Sequence, residues 1–181
     1  MATAAFKLNK CTGTNAATET DCNWAPKFLA VDSATTPPSS APIGVPKDAG
    51  SSPGYSYECW LRLECTAAPN NAVENIKFYG PPYQPDYNES PPNRLFIMAG
   101  TTATGATPVT SASSVAVTHQ AANYVGTGVG EYLAIGVEPE DDKINAVGEK
   151  SDYLVLQLKV LDQAQRGSMI EVPLNFSYDE S

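Results

Sequence analysis

His119, in the stretch Val117-Thr118-His119-Gln120, is the single histidine of the 181-residue chain, so any histidine-based triad has to use it as the general base. A serine nucleophile of that kind sits in a Gly-x-Ser-x-Gly elbow, and no such elbow occurs. The nearest stretch, Gly167-Ser168-Met169, lacks the flanking glycines at the needed spacing, and His119 reads as an ordinary loop histidine. Gly126-Thr127-Gly128-Val129-Gly130 resembles half of a phosphate-binding loop. It misses the final spacing of Gly-x-Gly-x-x-Gly, and no Lys-Ser/Thr pair follows it; its glycines more simply supply positive φ in a turn.

Glu138-Pro139-Glu140-Asp141-Asp142 is the densest run of carboxylates. Calcium takes such oxygens, but the run lacks the alternating Asp spacing of an EF-hand and adjoins Lys143, so it reads as a solvated acidic loop. The carboxylate pair of a glycoside hydrolase meets only in three dimensions, and these acids are the candidates for one. Trp60, Tyr83 and Tyr87 are candidates for an aromatic platform under a sugar ring. The four cysteines, Cys11, Cys22, Cys59 and Cys65, form no Cys-x-x-Cys pair and have no histidine beside them, which disfavours zinc. Cys59 and Cys65 share parity in an apparent strand and lie roughly 20 Å apart at about 3.3 Å per residue, too far to bond if the strand is straight. Cys11 and Cys22 could close a small loop, but nothing marks an oxidising compartment, and buried free thiols are the reading for all four. No catalytic, cofactor-binding or metal-ligating residue is assigned.

The chain as a whole fits this absence of catalytic signatures. With 11 Lys+Arg against 20 Asp+Glu its formal net charge is −9, whereas phosphate recognition needs clustered cations; direct nucleic-acid binding is not expected. There is no apolar run of about 18 residues and no basic-then-apolar N-terminus, so neither a membrane span nor a Sec signal is expected. The 13 Gly and 15 Pro punctuate the chain too often for a helical bundle.

The elements that must position any site are strands. Tyr55, Tyr57, Cys59, Leu61, Leu63 and Cys65 alternate with Ser56, Glu58, Trp60, Arg62 and Glu64, which predicts a half-buried antiparallel strand. Val73 to Tyr79 follows the turn signal Pro69-Asn70-Asn71, and the two strands are expected to pair as a hairpin. The proline-rich residues 80–93 read as a long loop, Arg94 to Ala99 as a buried strand, and 100–114 as a surface segment. Further strands are expected at 114–118, 131–137, 153–161 and 170–178, with Asp162 to Gly167 as a loop. Pro173 marks the last strand as an edge or as bulged. About seven or eight short strands punctuated by Gly, Pro and Asn predict an all-β fold, an antiparallel β-sandwich of jelly-roll or immunoglobulin-like order, over residues 55–181. Residues 1–54 hold only two short apolar patches (Phe6-Lys7-Leu8 and Phe28-Leu29-Ala30-Val31) before a proline-rich stretch, and read as an extended N-terminal arm that runs over a surface.

Several of these stretches together resemble a group of virion structural proteins of tailed bacteriophages: residues 55–69 (Tyr-Ser-Tyr-Glu-Cys-Trp-Leu-Arg-Leu-Glu-Cys-Thr-Ala-Ala-Pro), Asn75 to Tyr79, Ala99 to Thr102, Ser151 to Leu158, and the ending Asn175 to Glu180. The similarity covers roughly residues 55–181. It implies a non-enzymatic β-sandwich on the particle, a capsid decoration (cement) protein seated on the major capsid protein, with a neck, tail or fibre subunit as the alternative inside the same group. It also implies virion subunits as partners, a homo-oligomer in the assembled particle, and the virion exterior as its place. The contrasting reading is a carbohydrate-binding β-sandwich module. No functional residue transfers with the resemblance, because the group has no known active site.

Overall fold

The computed structural model describes residues 3–13, 16–41, 43, 54–79, 95–100, 123–124, 133–139, 141–160 and 175–181. Ten strands lie among them: β1 (Ala5–Thr12), β2 (Thr18–Asp21), β3 (Gly54–Tyr55), β4 (Cys59–Ala67), β5 (Val73–Tyr79), β6 (Leu95–Gly100), β7 (Asn123–Tyr124), β8 (Leu133–Ile135), β9 (Leu154–Val160) and β10 (Asn175–Glu180). The larger sheet runs β2-β1-β4-β9-β6-β7, with β3 also paired to β9; the smaller runs β10-β5-β8, and every pairing is antiparallel. The fold is all-β, as the period-two alternation predicts. Among the described residues no helix is long and apolar enough to cross a membrane.

Register decides which side chains meet. Phe6 stands opposite Cys65, Leu8 opposite Leu63 and Leu61 opposite Leu154, so these residues share one face of the larger sheet. Val73, Ile76 and Phe78 of β5 and Ile135 of β8 line the smaller sheet, and both sets join one buried cluster with Leu156, Val137 and Ile144. The larger of two hydrophobic clusters thus takes side chains from both sheets, each large aliphatic or aromatic side chain in it contributing about 1.5–3 kcal/mol of transfer free energy. Cys59 and Cys65 are fully buried on this face, as their shared parity predicts, and all four cysteines are free thiols.

Three expectations change. The first concerns the pair of strands read as a hairpin: β4 lies in the larger sheet between β1 and β9, and β5 in the smaller between β10 and β8. The Pro69-Asn70-Asn71 turn carries the chain from one layer to the other, because both strands bury an apolar face against the same core. The second concerns β4 itself, which is covered on both faces, with Trp60 1% and Arg62 6% exposed. Its alternation marks one apolar face and one face of paired charges, not one buried and one wet. The third concerns residues 1–54. The extended-arm reading does not hold over Ala5–Asp21, where β1 pairs with β4 across seven register positions and β2 closes a hairpin on β1. The alternation there, Phe6 and Leu8 inward and Lys7 and Asn9 outward, is short and is broken by Lys10 on the apolar parity, so it is weak in sequence; what orders it is pairing with the edge of β4. Beyond the hairpin the chain stays on the domain, with Leu29 buried, its carbonyl accepting from the Tyr57 amide at 2.8 Å, and the Ala30 amide donating to Ala41 at 3.0 Å.

Among the described strands β10 pairs with β5 alone and its register shifts between Ser177 and Asp179, while Pro173, on which the edge-or-bulge expectation rests, lies outside the described residues.

Candidate functional site

The outward face of the larger sheet gathers the charged residues of β1, β2 and β4. Because strand side chains alternate, Lys7, Asn9 and Cys11 point away from the core and stand opposite Glu64, Arg62 and Trp60. Glu19 of β2 stands opposite Cys11 at the next position out. Lys150 is bridged to Glu64, and Tyr153 comes from the segment leading into β9.

Arg62 is the centre of this face. Its guanidinium donates to the Ser151 carbonyl through Nε at 3.0 Å and Nη2 at 2.8 Å. Nη2 also lies 3.1 Å from Glu138 Oε2, Nη1 lies 3.5 Å from Glu19 Oε1 and from the Tyr153 hydroxyl, and Cζ sits 4.5 Å from the Tyr153 ring centroid. A buried cation persists only when its donors are used, and here they are. Glu19 accepts in addition from Lys150 Nζ at 2.9 Å and from Asn9 Nδ2 at 3.1 Å; the same Asn9 amide donates to Glu64 at 2.8 Å, and Lys7 closes the other Glu64 oxygen at 2.8 Å. Below this layer Trp60 packs edge-on against Tyr153 with centroids 5.3 Å apart, and donates its indole N–H to Glu58 at 2.9 Å.

The electrostatics follow from this crowding. Partial burial pushes the Glu64 carboxyl up, but the hydrogen bonds from Lys7 and Asn9 and the charges of Lys7 and Lys150 outweigh it and hold it below the usual range. The hydrogen bond to Glu19 raises Lys150 above an ordinary lysine. Burial raises the Tyr153 phenol, and burial with the neighbouring Glu19 charge pushes the Cys11 thiol up to about 12. Three cations, Lys7, Arg62 and Lys150, meet three carboxylates, Glu19, Glu64 and Glu138, in one charge-balanced network. Its chemistry is that of a tie between segments: no side chain in it is held as an activated nucleophile, and the Cys11 thiol beside it is driven away from its reactive thiolate form.

The sequence candidates distribute differently. His119, Gly126 to Gly130, Tyr83, Tyr87, Glu140 and the Gly167-Ser168-Met169 stretch lie outside the described residues. Trp60 is buried, which removes it from any exposed sugar platform with Tyr83 and Tyr87. The acidic loop is divided: Glu138 turns to Arg62, Asp141 takes a long 3.5 Å contact from Asn145, and Lys143 pairs with Glu74 at 2.8 Å. Among the described residues no group of three or more His, Cys, Asp or Glu is placed to hold a metal ion. Sequence reading did not single out Arg62, Glu19 and Lys150. Arg62 carried a signal, as the one cation on the polar parity of a strand flanked by Glu58 and Glu64; Glu19, in a stretch of Thr, Asn and Ala, carried none.

The chain matches no family model, no curated protein and no solved structure.

Proposed function

We propose that this chain is a non-enzymatic structural subunit of a tailed-phage virion, a capsid decoration (cement) protein that stabilises the major capsid lattice. The strand patterns over residues 55–181 support the virion reading. The observation that carries the structural role is the outward face of the larger sheet, where the ionic side chains are spent on one another around Arg62 and leave a mechanical tie in place of a reactive centre. A protein of that design works through its margins. β2 and β10 stand at ends of the two sheet orders, and sheet ends present backbone groups to which a neighbour can add a strand. In this reading the two sheets form a β-sandwich of jelly-roll or immunoglobulin-like order. The major capsid protein or another virion subunit is the partner, and the assembled form on the particle exterior is a homo-oligomer.

The test is the copy number of the polypeptide in purified particles, relative to the major capsid protein, by cryo-EM or quantitative crosslinking. Copies in a fixed ratio to the major capsid protein support decoration. A single small ring of copies moves the protein to the neck, tail or fibres, and absence from the particle overturns the virion reading.

A further inference from the structure

β2 is four residues long, bonds only to β1 among the described strands, and has exposed ends with a half-buried middle, so apolar burial contributes little to holding it. What fastens it is charge. Glu19, at its second position, takes hydrogen bonds from Lys150 Nζ at 2.9 Å, from Asn9 Nδ2 at 3.1 Å and, at 3.5 Å, from Arg62 Nη1. The turn before it is pinned by a second carboxylate, since Asp32 accepts from the Gly13 amide at 2.7 Å, and Gly13 sits at φ +80, where glycine is at ease. Just past β2 the Cys22 amide and thiol both donate to the Leu8 carbonyl, at 3.0 and 3.1 Å. Ala16, in the same turn, packs over Cys11.

We propose that β2 with its turn is a charge-latched guard strand: Glu19 is the bolt, Lys150 and Arg62 are the keepers, and removing the bolt's charge frees this strap while the two-sheet core stays closed. The keepers explain why the effect is local. Without Glu19, Arg62 keeps the Ser151 carbonyl, Glu138 and Tyr153, and Lys150, whose side chain is 26% exposed, turns to water. Neither cation is stranded, so the damage stays in the strand that lost its anchor. Opening the strap uncovers the outer backbone of β1, the kind of edge that accepts an added strand. The latch rests on this geometry and not on the virion reading, which the particle copy number tests separately.

The four free thiols give the readout, because two flank the strap and two lie wholly in the core. Cys11 stands opposite Glu19 under Ala16 of the turn, Cys22 lies just past β2 at the core margin, and Cys59 and Cys65 are fully buried between the sheets. In the full chain carrying Glu19→Gln, alkylation of Cys11 and Cys22 by iodoacetamide, followed by mass spectrometry, is expected to accelerate about tenfold, with Cys59 and Cys65 within about twofold of the parent chain. Amide exchange of residues 18–22 should rise in parallel while β5 stays protected. Lys150→Met, which removes one keeper and leaves Glu19 with Arg62 and Asn9, should give the same pattern at smaller amplitude and serves if Glu19→Gln does not fold. Unchanged rates at Cys11 and Cys22 in both variants overturn the latch. So does equal acceleration at all four thiols, which would make Glu19 a support of the whole domain.

Discussion

Across β1, β4 and the start of β9 the two faces of the larger sheet are both covered, and by opposite means. On the inner face Leu8, Leu61, Leu63, Leu154 and Leu156 meet Val73, Ile76 and Phe78 of the smaller sheet, and the one buried cation on this parity of β1, Lys10 opposite Leu61, gives its ammonium to the Lys27 carbonyl at 2.9 Å. On the outer face Arg62, Glu19, Glu64, Lys7 and Lys150 cover Trp60 and Cys11 with ion pairs. Hydrophobic burial is non-directional and scales with area, so the inner face supplies stability and tolerates exchange of similar shapes. Ion pairs gain little net energy once desolvation is counted, but they demand particular partners. The difference teaches that the inner face holds the fold and the outer face holds the segments in register on it.

The largest effect should come from the inner face. Phe78 is fully buried, and its ring lies 5.1 Å from that of Phe176 across the β5–β10 pair. Phe78→Ala is expected to lose about 3–5 kcal/mol in guanidinium denaturation, through lost transfer energy and the cavity left behind. On the outer face Arg62→Leu should lose less, about 2–3 kcal/mol, because Glu138 is half exposed and recovers water when its partner goes, while the Ser151 carbonyl and Glu19 do not recover fully. If Arg62→Leu proves the more damaging of the two, the division of labour between the faces is wrong.

A pH titration sharpens the same comparison. The Glu64 carboxyl is lowered in the folded chain, so its charged form contributes stability that is fully present above the ordinary carboxylate range. That contribution is lost as pH falls through the lowered folded value. At neutral pH Glu64→Gln should lose roughly 0.5–1 kcal/mol, as expected for a partly exposed pair, and the gap between variant and parent should close on acidification. Phe78→Ala should keep the same deficit across that range, since it removes no titrating group. Denaturation midpoints of the three chains at several pH values check this, and a Glu64→Gln deficit that persists in acid would place its cause in packing.

The inner face was legible in sequence and the outer one was not, for a physical reason. Period two is written by every residue of a strand, so Tyr57 to Cys65, Val73 to Tyr79 and Leu154 to Leu156 announce themselves. Pairing is not written in the same way: β4 and β5 are adjacent in sequence with a turn signal between them, yet the layer each joins depends on which edges are already occupied. The outer network escaped because it assembles positions 7, 9, 19, 62, 64, 138 and 150, distant in sequence and ordinary one by one. Hydrophobic patterning identifies the class of a residue's environment; a charge network requires knowledge of its partners.

The smallest effect is expected at the rim, where the two faces meet. Asn23 and Trp24 occupy the centre of a turn closed by the Ala25 amide donating to the Cys22 carbonyl at 2.9 Å, both at positive φ, 49° and 59°. That is the backbone pattern of a type I′ turn, for which Asn-Gly is the favoured pair, and a bulky side chain at the second position carries about 1 kcal/mol of strain. Trp24 offsets this only in part, since it is 52% exposed and touches Phe176 edge-on at 6.0 Å. Trp24→Gly creates the favoured Asn-Gly turn and relieves the strain while giving up that contact, so the net change should lie within about 0.5 kcal/mol of zero. Thermal denaturation decides it. A loss above about 1.5 kcal/mol would mean that the indole closes the core margin beside β10, and the inner face would then extend further round the domain than the burial of its leucines suggests.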